Sequence, residues 1–216
     1  MSDPATVPLL LQGLDYAGVA VFAVTGALVA ARKRHDLVAF AFFAAVTGIG
    51  GGTLRDLLLD VPVFWIEAQG YLIVTTLAAF GVWLVGTGSA MRERWLLWLD
   101  AVGLAAYCVL GTAKALSVGA PPVVAVVMGV LTATFGGVVR DLVAGEPSVL
   151  LKREIYITAA LAGAAVYAVL AVGGMDATSA SVIAFAAALF IRAGALWFGW
   201  TLPGWRAEDD AVGRDR

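Results

Sequence analysis

The 216-residue chain has a single cysteine, Cys108, and a single histidine, His35. One thiol cannot form an intrachain disulfide, and one imidazole cannot build a Cys/His metal cluster, so no cofactor or metal is expected. Cys108 lies among apolar residues and reads as inert, and His35 sits in a basic loop, where it can serve only topology. No Ser/His/Asp set or carboxylate pair is placed for acid/base work, so the chain is not read as an enzyme. Charge is scarce too, at 14% of residues against about a quarter in soluble proteins. Apolar residues make up 61% of the chain and its mean hydropathy is +0.91, which places it in a bilayer as an integral membrane protein. A net charge of −2 gives no basis for a nucleic-acid partner. The opening Met1-Ser2-Asp3-Pro4 offers no basic flank, which speaks against a cleaved signal peptide.

What the chain does have is a hydrophobic unit written twice, without gaps, 85 residues apart. Leu14-Asp15 with Gly18 and Gly26 recurs as Leu99-Asp100 with Gly103 and Gly111. Gly51-Gly52-x-x-Arg55-Asp56-Leu57 with Pro62 and Tyr71 recurs as Gly136-Gly137-x-x-Arg140-Asp141-Leu142 with Pro147 and Tyr156. Charged residues that repeat in register inside apolar surroundings do not follow from composition alone.

A membrane-spanning helix needs about 20 mostly apolar residues. Seven stretches meet that test, near 14–31, 37–57, 68–88, 95–116, 121–142, 155–174 and 179–200. The expected fold class is an all-α integral membrane protein with seven transmembrane helices. Repeat one covers about 14–88 and repeat two about 99–174; the seventh helix is unpaired. Three spans per repeat force the second triplet to be inverted, an architecture common in transport proteins. The chain reads as one transmembrane domain, 1–202, with a disordered cytoplasmic tail at 203–216. Arg32, Lys33 and Arg34, then Arg92 and Arg94, then Lys152 and Arg153 occupy alternate loops, while the opposite face offers only Asp3 and Asp176. The positive-inside rule therefore puts the N-terminus outside and the C-terminus in the cytoplasm. Trp65, Trp95, Trp98, Trp200 and Trp205 fall near the expected interfaces. High Ala, Gly and Arg usage suggests a bacterial plasma membrane.

Gly48, Gly50, Gly51 and Gly52 lie in the second span, and Gly136 and Gly137 at the matching place in the fifth. Each glycine weakens a helix by roughly 1 kcal/mol relative to alanine. The matched clusters predict a pair of broken helices lining one path; the alternative is close helix packing through small residues, with no pore. Thr47, Thr132 and Thr134 offer hydroxyls beside these breaks, although a threonine in a membrane helix commonly bonds its own backbone. Asp15 and Asp100 begin the spans before those that end in Arg55-Asp56 and Arg140-Asp141. Asp15 with Arg55, and Asp100 with Arg140, are placed to close across helix hairpins, as gates or as structural ion pairs. Asp56 and Asp141 could instead attract cations. Lys114 lies about 21 Å beyond Asp100 along the fourth span, where it gates, meets a lipid phosphate or snorkels to the interface. Arg192 reads as packing near the cytoplasmic interface.

Taken together, these features resemble the trimeric intracellular cation channel family, whose prokaryotic branch overlaps proteins described as glycine transporters. The resemblance rests on the 3+3+1 plan, the two glycine clusters, the Gly-Gly-x-x-Arg-Asp repeats and Gly111-Thr112-Ala113-Lys114-Ala115-Leu116, and covers about residues 10–200. It implies homotrimers in membrane lipid, each subunit carrying its own hourglass pore for monovalent cations, chiefly potassium, lined by kinked second and fifth helices. Animal members carry Lys-Glu-Val in the fourth span and glycine triplets. Here Ala115-Leu116 follow Lys114 and the second cluster reads Phe135-Gly136-Gly137, so lipid or calcium control of the animal type is not expected, and Phe135 is placed to narrow the inner half of the path. A scarcity of midplane carboxylates favours a channel over a secondary transporter for a small amino acid such as glycine. A third class is a structural or lipid-handling protein in which the glycines serve packing alone.

Overall fold

The computed structural model describes residues 9–86, 89–148 and 155–201. Asp3, Lys152, Arg153, Trp205 and the tail at 203–216 lie outside the described residues. The chain forms α1 (Leu9–Arg32), α2 (Leu37–Leu58), α3 (Phe64–Glu67), α4 (Gly70–Val85), α5 (Ser89–Ser117), α6 (Pro122–Val143), α7 (Ile157–Val172) and α8 (Ala177–Phe198). Seven of these match the expected spans, with α1 and α5 starting several residues earlier. The extra turn, α3, begins where the Phe64 N–H donates to the Asp56 carboxylate at 3.0 Å. Five helices are long and apolar enough to cross a membrane. The other two, α4 and α7, have 16 residues each, or about 24 Å. Both are the third long helix of a repeat, so the shortening is itself repeated.

Local chemistry sets several helix ends. Asp36 caps α2 by accepting the Ala39 N–H at 2.8 Å, and Asp176 caps α8 by accepting that of Ser179 at 2.9 Å. Gly199 closes α8 in the left-handed conformation, at φ 68°, where a side chain would be strained.

Within repeat one, α1, α2 and α4 pack against one another, as do α5, α6 and α7 within repeat two. The repeats join through α1 against α5 and α2 against α6, while α8 lies on α5 and α7 of repeat two. The α1–α5 contact is its own image. A Cβ on Gly18 would lie 2.9 Å from Tyr107, and one on Gly103 3.0 Å from Phe22, and the two rings stack at 5.3 Å. Tyr107 stands 85 residues after Phe22.

The inversion is also visible at one end of the bundle. Arg32, the last residue of α1, and Lys33, just after it, both pair with Glu146, just beyond α6, the Lys33 contact at 3.3 Å. In the first turns of α5, Arg92 donates to the Ala31 carbonyl at 3.0 Å. The ends of α1 and α6 and the start of α5 thus share a face, as the alternating basic loops require.

Candidate functional site

α2 and α6 cross between the repeats, and both are uninterrupted α-helices through their glycines. The expectation that these helices break is therefore corrected. A Cβ on Gly51 would lie 2.1 Å from the Thr132 carbonyl oxygen, and one on Gly136 2.3 Å from that of Thr47. No methyl group fits at either distance. Gly51 and Gly136 are 85 residues apart, as are Thr47 and Thr132, so the crossing repeats one contact in two orientations. Close backbone approach offsets the intrinsic helix cost of glycine, and the helices stay intact. Other glycines also serve contact: a Cβ on Gly48 would meet the Val19 carbonyl at 3.0 Å, one on Gly52 the Phe64 ring at 2.6 Å, and one on Gly137 the Tyr156 hydroxyl at 3.2 Å. Gly50 faces the Gly136 Cα more loosely, at 3.8 Å from its ideal Cβ.

The three threonines bond their own helices. Thr47 donates to Phe43 O at 2.6 Å, Thr132 to Met128 O at 2.6 Å and Thr134 to Val130 O at 2.9 Å. Each hydroxyl oxygen keeps acceptor capacity. Phe135 is half-buried and stands where repeat one has Gly50.

A charged cluster lies at each end of the crossing. In repeat one, Arg55 Nε and Nη2 both reach Asp56 Oδ1 at 2.8 Å, and the guanidinium lies 5.8 Å from the Phe64 ring centre. Asp15 accepts the Tyr71 hydroxyl at 2.7 Å. Asp15 and Arg55 form no ion pair: Tyr71 engages the carboxylate and Asp56 engages the guanidinium, so the expected closure of this hairpin is corrected. In repeat two the closure is present. Arg140 Nη1 donates to Asp100 at 2.9 Å and to the Thr25 hydroxyl at 3.1 Å, and Nε donates to Asp141 at 2.9 Å. Arg55, Asp56, Arg140, Asp100 and Asp141 are all buried. Each set has two carboxylates and one guanidinium.

Lys114 is exposed one turn from the end of α5 and lies within electrostatic reach of Asp15. Arg192 is buried, donates to the Ile155 carbonyl at 3.3 Å and lies 5.1 Å from the Tyr156 ring centre, so α8 packs its cation into repeat two. The sequence reading assigned no role to Tyr71, Tyr156, Tyr16, Phe64 or Thr25, although Tyr71 and Tyr156 carried a signal in their 85-residue recurrence. An apolar groove of about 470 Å³ lies between α6 and α7, lined by Val126 and Val169 among others, and one of about 170 Å³ lies between α1, α5 and α8. Both lie off the α2–α6 crossing. Among the described residues, no three His, Cys, Asp or Glu side chains come together as metal ligands.

Comparison with known proteins agrees with this geometry. A family model described as glycine transporter matches residues 12–87 and again 97–172, so one copy of it is one repeat. The solved trimeric intracellular cation channel orthologue from Rhodobacter sphaeroides is 48% identical to this chain, with a TM-score of 0.86 over 89% of this chain and all of that one. The chain belongs to the trimeric intracellular cation channel family. A second solved cation channel of this family is 30% identical with a TM-score of 0.79, covering 91% of this chain and 98% of its own. Among curated relatives, the UPF0126 inner membrane protein YadS of Escherichia coli is 35% identical over 205 residues, 94% of this chain and 99% of that protein. The UPF0126 membrane protein YvgT of Bacillus subtilis is 34% identical over 195 residues.

Proposed function

We propose that this protein is a passive channel for monovalent cations, chiefly potassium, in a bacterial inner membrane, and that it works as a homotrimer with one path per subunit. The observation that carries the reading is the α2–α6 crossing with a cluster of two carboxylates and one guanidinium at each end. An excess of carboxylate at both mouths favours entry of cations from either side. The 48% identity to a solved trimeric cation channel supports the same reading. Gly51, Gly136, Thr47 and Thr132 meet at the crossing, where the packing is too tight for an ion; conduction there then requires α2 and α6 to separate. Backbone and threonine oxygens at the crossing would supply ligands to a dehydrated cation once they do. In this reading the N-terminus is outside, and lipid is the surrounding solvent and the neighbour of Lys114.

Secondary transport of glycine is the second reading, favoured by the description of the matching family model and by the contact-tight crossing. One experiment separates the two: recording from the purified protein in a planar bilayer under a potassium gradient, with uptake of radiolabelled glycine into matched liposomes. Unitary currents that reverse toward the potassium equilibrium potential support the channel. Saturable glycine uptake without such currents replaces it.

A further inference from the structure

The two charged clusters are copies of one device held in different states. Asp15, Arg55, Asp56 and Tyr71 of repeat one correspond, 85 residues on, to Asp100, Arg140, Asp141 and Tyr156. In both copies the arginine holds the aspartate that follows it in sequence, at 2.8 Å for Asp56 and 2.9 Å for Asp141. The copies diverge at the other carboxylate. Asp100 is bonded by Arg140 at 2.9 Å, and the buried Tyr156 hydroxyl stands near the same carboxylate without a well-formed hydrogen bond to it. Asp15 is bonded by the Tyr71 hydroxyl at 2.7 Å, and Arg55 does not reach it, although Arg55 and Asp56 both lie within coulombic range. In repeat one the well-formed bond to the first aspartate comes from the tyrosine, and in repeat two it comes from the arginine.

We propose that Tyr71 is the positioning residue that keeps the Asp15–Arg55 pair apart and so holds that mouth open. This rests on the channel reading for its consequence, but not for its geometry. Tyr71 is fixed by two rings. It stacks on Tyr16 with centroids 4.0 Å apart and planes 7° apart, and it meets Phe64 edge-on at 4.7 Å. The residue corresponding to Tyr16 in repeat two is Ala101, so Tyr156 lacks that stacking surface and is covered by Arg192 instead. Arg140 has a further anchor in the Thr25 hydroxyl, and the residue that matches Thr25 85 positions on is Leu110, which has no hydroxyl. Aromatic stacking thus biases repeat one toward the tyrosine, and a hydroxyl biases repeat two toward the arginine.

The decisive test needs no ion current. Thermal unfolding in detergent is measured for Asp15→Asn, Arg55→Gln and the double variant, first in the native background and then in Tyr71→Phe. The coupling between the two substitutions should be weak in the native background, where the residues meet only at coulombic range, and clearly larger in Tyr71→Phe, where Arg55 is free to take Asp15. Coupling of equal size in the two backgrounds overturns the proposal. Should Arg55→Gln fail to fold, an experimental structure of the nearly isosteric Tyr71→Phe decides: an Asp15–Arg55 contact near 3 Å supports the proposal, and a separated pair overturns it. In bilayers, Tyr71→Phe should lower open probability roughly tenfold, the factor matching loss of one hydrogen bond to a charged group, with unitary current unchanged. Tyr156→Phe should lower open probability far less, because Arg140 already holds Asp100. Absence of any current from the native protein would remove the channel reading while leaving the unfolding and structural results to judge Tyr71.

Discussion

Repeat one and repeat two share a backbone plan and a set of charged residues, yet they hold those charges differently. In repeat two, one guanidinium bridges Asp100, Asp141 and Thr25, and α8 adds Arg192 over Tyr156. In repeat one the guanidinium serves Asp56 alone, and a layer of Tyr16, Tyr71 and Phe64 takes over the other carboxylate. The repeated residues fix where charges stand along the bundle. Residues that do not repeat, Tyr16 against Ala101 and Thr25 against Leu110, decide which partner each charge takes. The crossing between the repeats behaves in the opposite way, because its contacts are self-paired and cannot diverge without losing complementarity.

The largest expected effect tests the difference between the clusters. Arg140→Gln removes the cation shared by two buried carboxylates and should destabilise by about 3–5 kcal/mol, more than Arg55→Gln, which removes it from one. Equal losses, read by thermal unfolding in detergent, would mean the clusters are energetically alike. Next come Gly51→Ala and Gly136→Ala, each placing a methyl against a carbonyl oxygen and each expected to cost about 3 kcal/mol. Because these contacts mirror one another, the two losses should match, and a wide gap would break the symmetry argued for the crossing. The leucine variants sharpen the point: lost conduction in an intact oligomer favours a path at the crossing, and lost assembly favours packing alone.

Thr25→Val takes one hydrogen bond from Arg140 and should cost about 1–2 kcal/mol. Leu110→Val, its counterpart, should cost no polar contact, and the pair of unfolding curves checks whether Thr25 locks repeat two. Phe135→Gly makes the repeats alike at the position of Gly50, and unitary current should rise; an unchanged conductance would take Phe135 out of the path. The smallest effect lies outside the membrane. Hydrogen bonds from the Ser179 N–H and hydroxyl hold the Asp176 carboxyl below its ordinary range. Its stabilisation is therefore full above the ordinary carboxylate pKa and is lost as pH falls through the lowered value. Asp176→Ala should lower the melting temperature slightly at neutral pH, and the gap from the native protein should close in acid.

Much of the architecture was legible because hydrophobic length and loop charge act locally. Runs of about 20 apolar residues gave the helices, and the 85-residue recurrence gave the inversion that Arg32, Lys33 and Glu146 reflect at one end of the bundle. The short α3 was not legible, since it depends on a carboxylate eight residues upstream accepting the Phe64 N–H. Nor was the state of the glycines. Gly50-Gly51-Gly52 reads equally as a broken helix or a packed one, and only the nearness of a second backbone separates the two. The Asp100–Arg140 pair followed the spacing, whereas Asp15–Arg55 did not, and in its place Tyr71 bonds the carboxylate from α4, a helix the spacing of the hairpin leaves out.

The sequence by itself determined a membrane-embedded helical chain, two copies of one unit, their relative inversion and the residues that carry charge into the bilayer. Each of these follows from composition, periodicity or strict recurrence, which need no neighbour. The tertiary structure alone decided that α2 and α6 stay whole, that glycine meets threonine backbone at their crossing and that the two arginines take different partners. Those outcomes depend on distances of 2 to 4 Å between segments remote in the chain, and such distances exist only once the helices are packed.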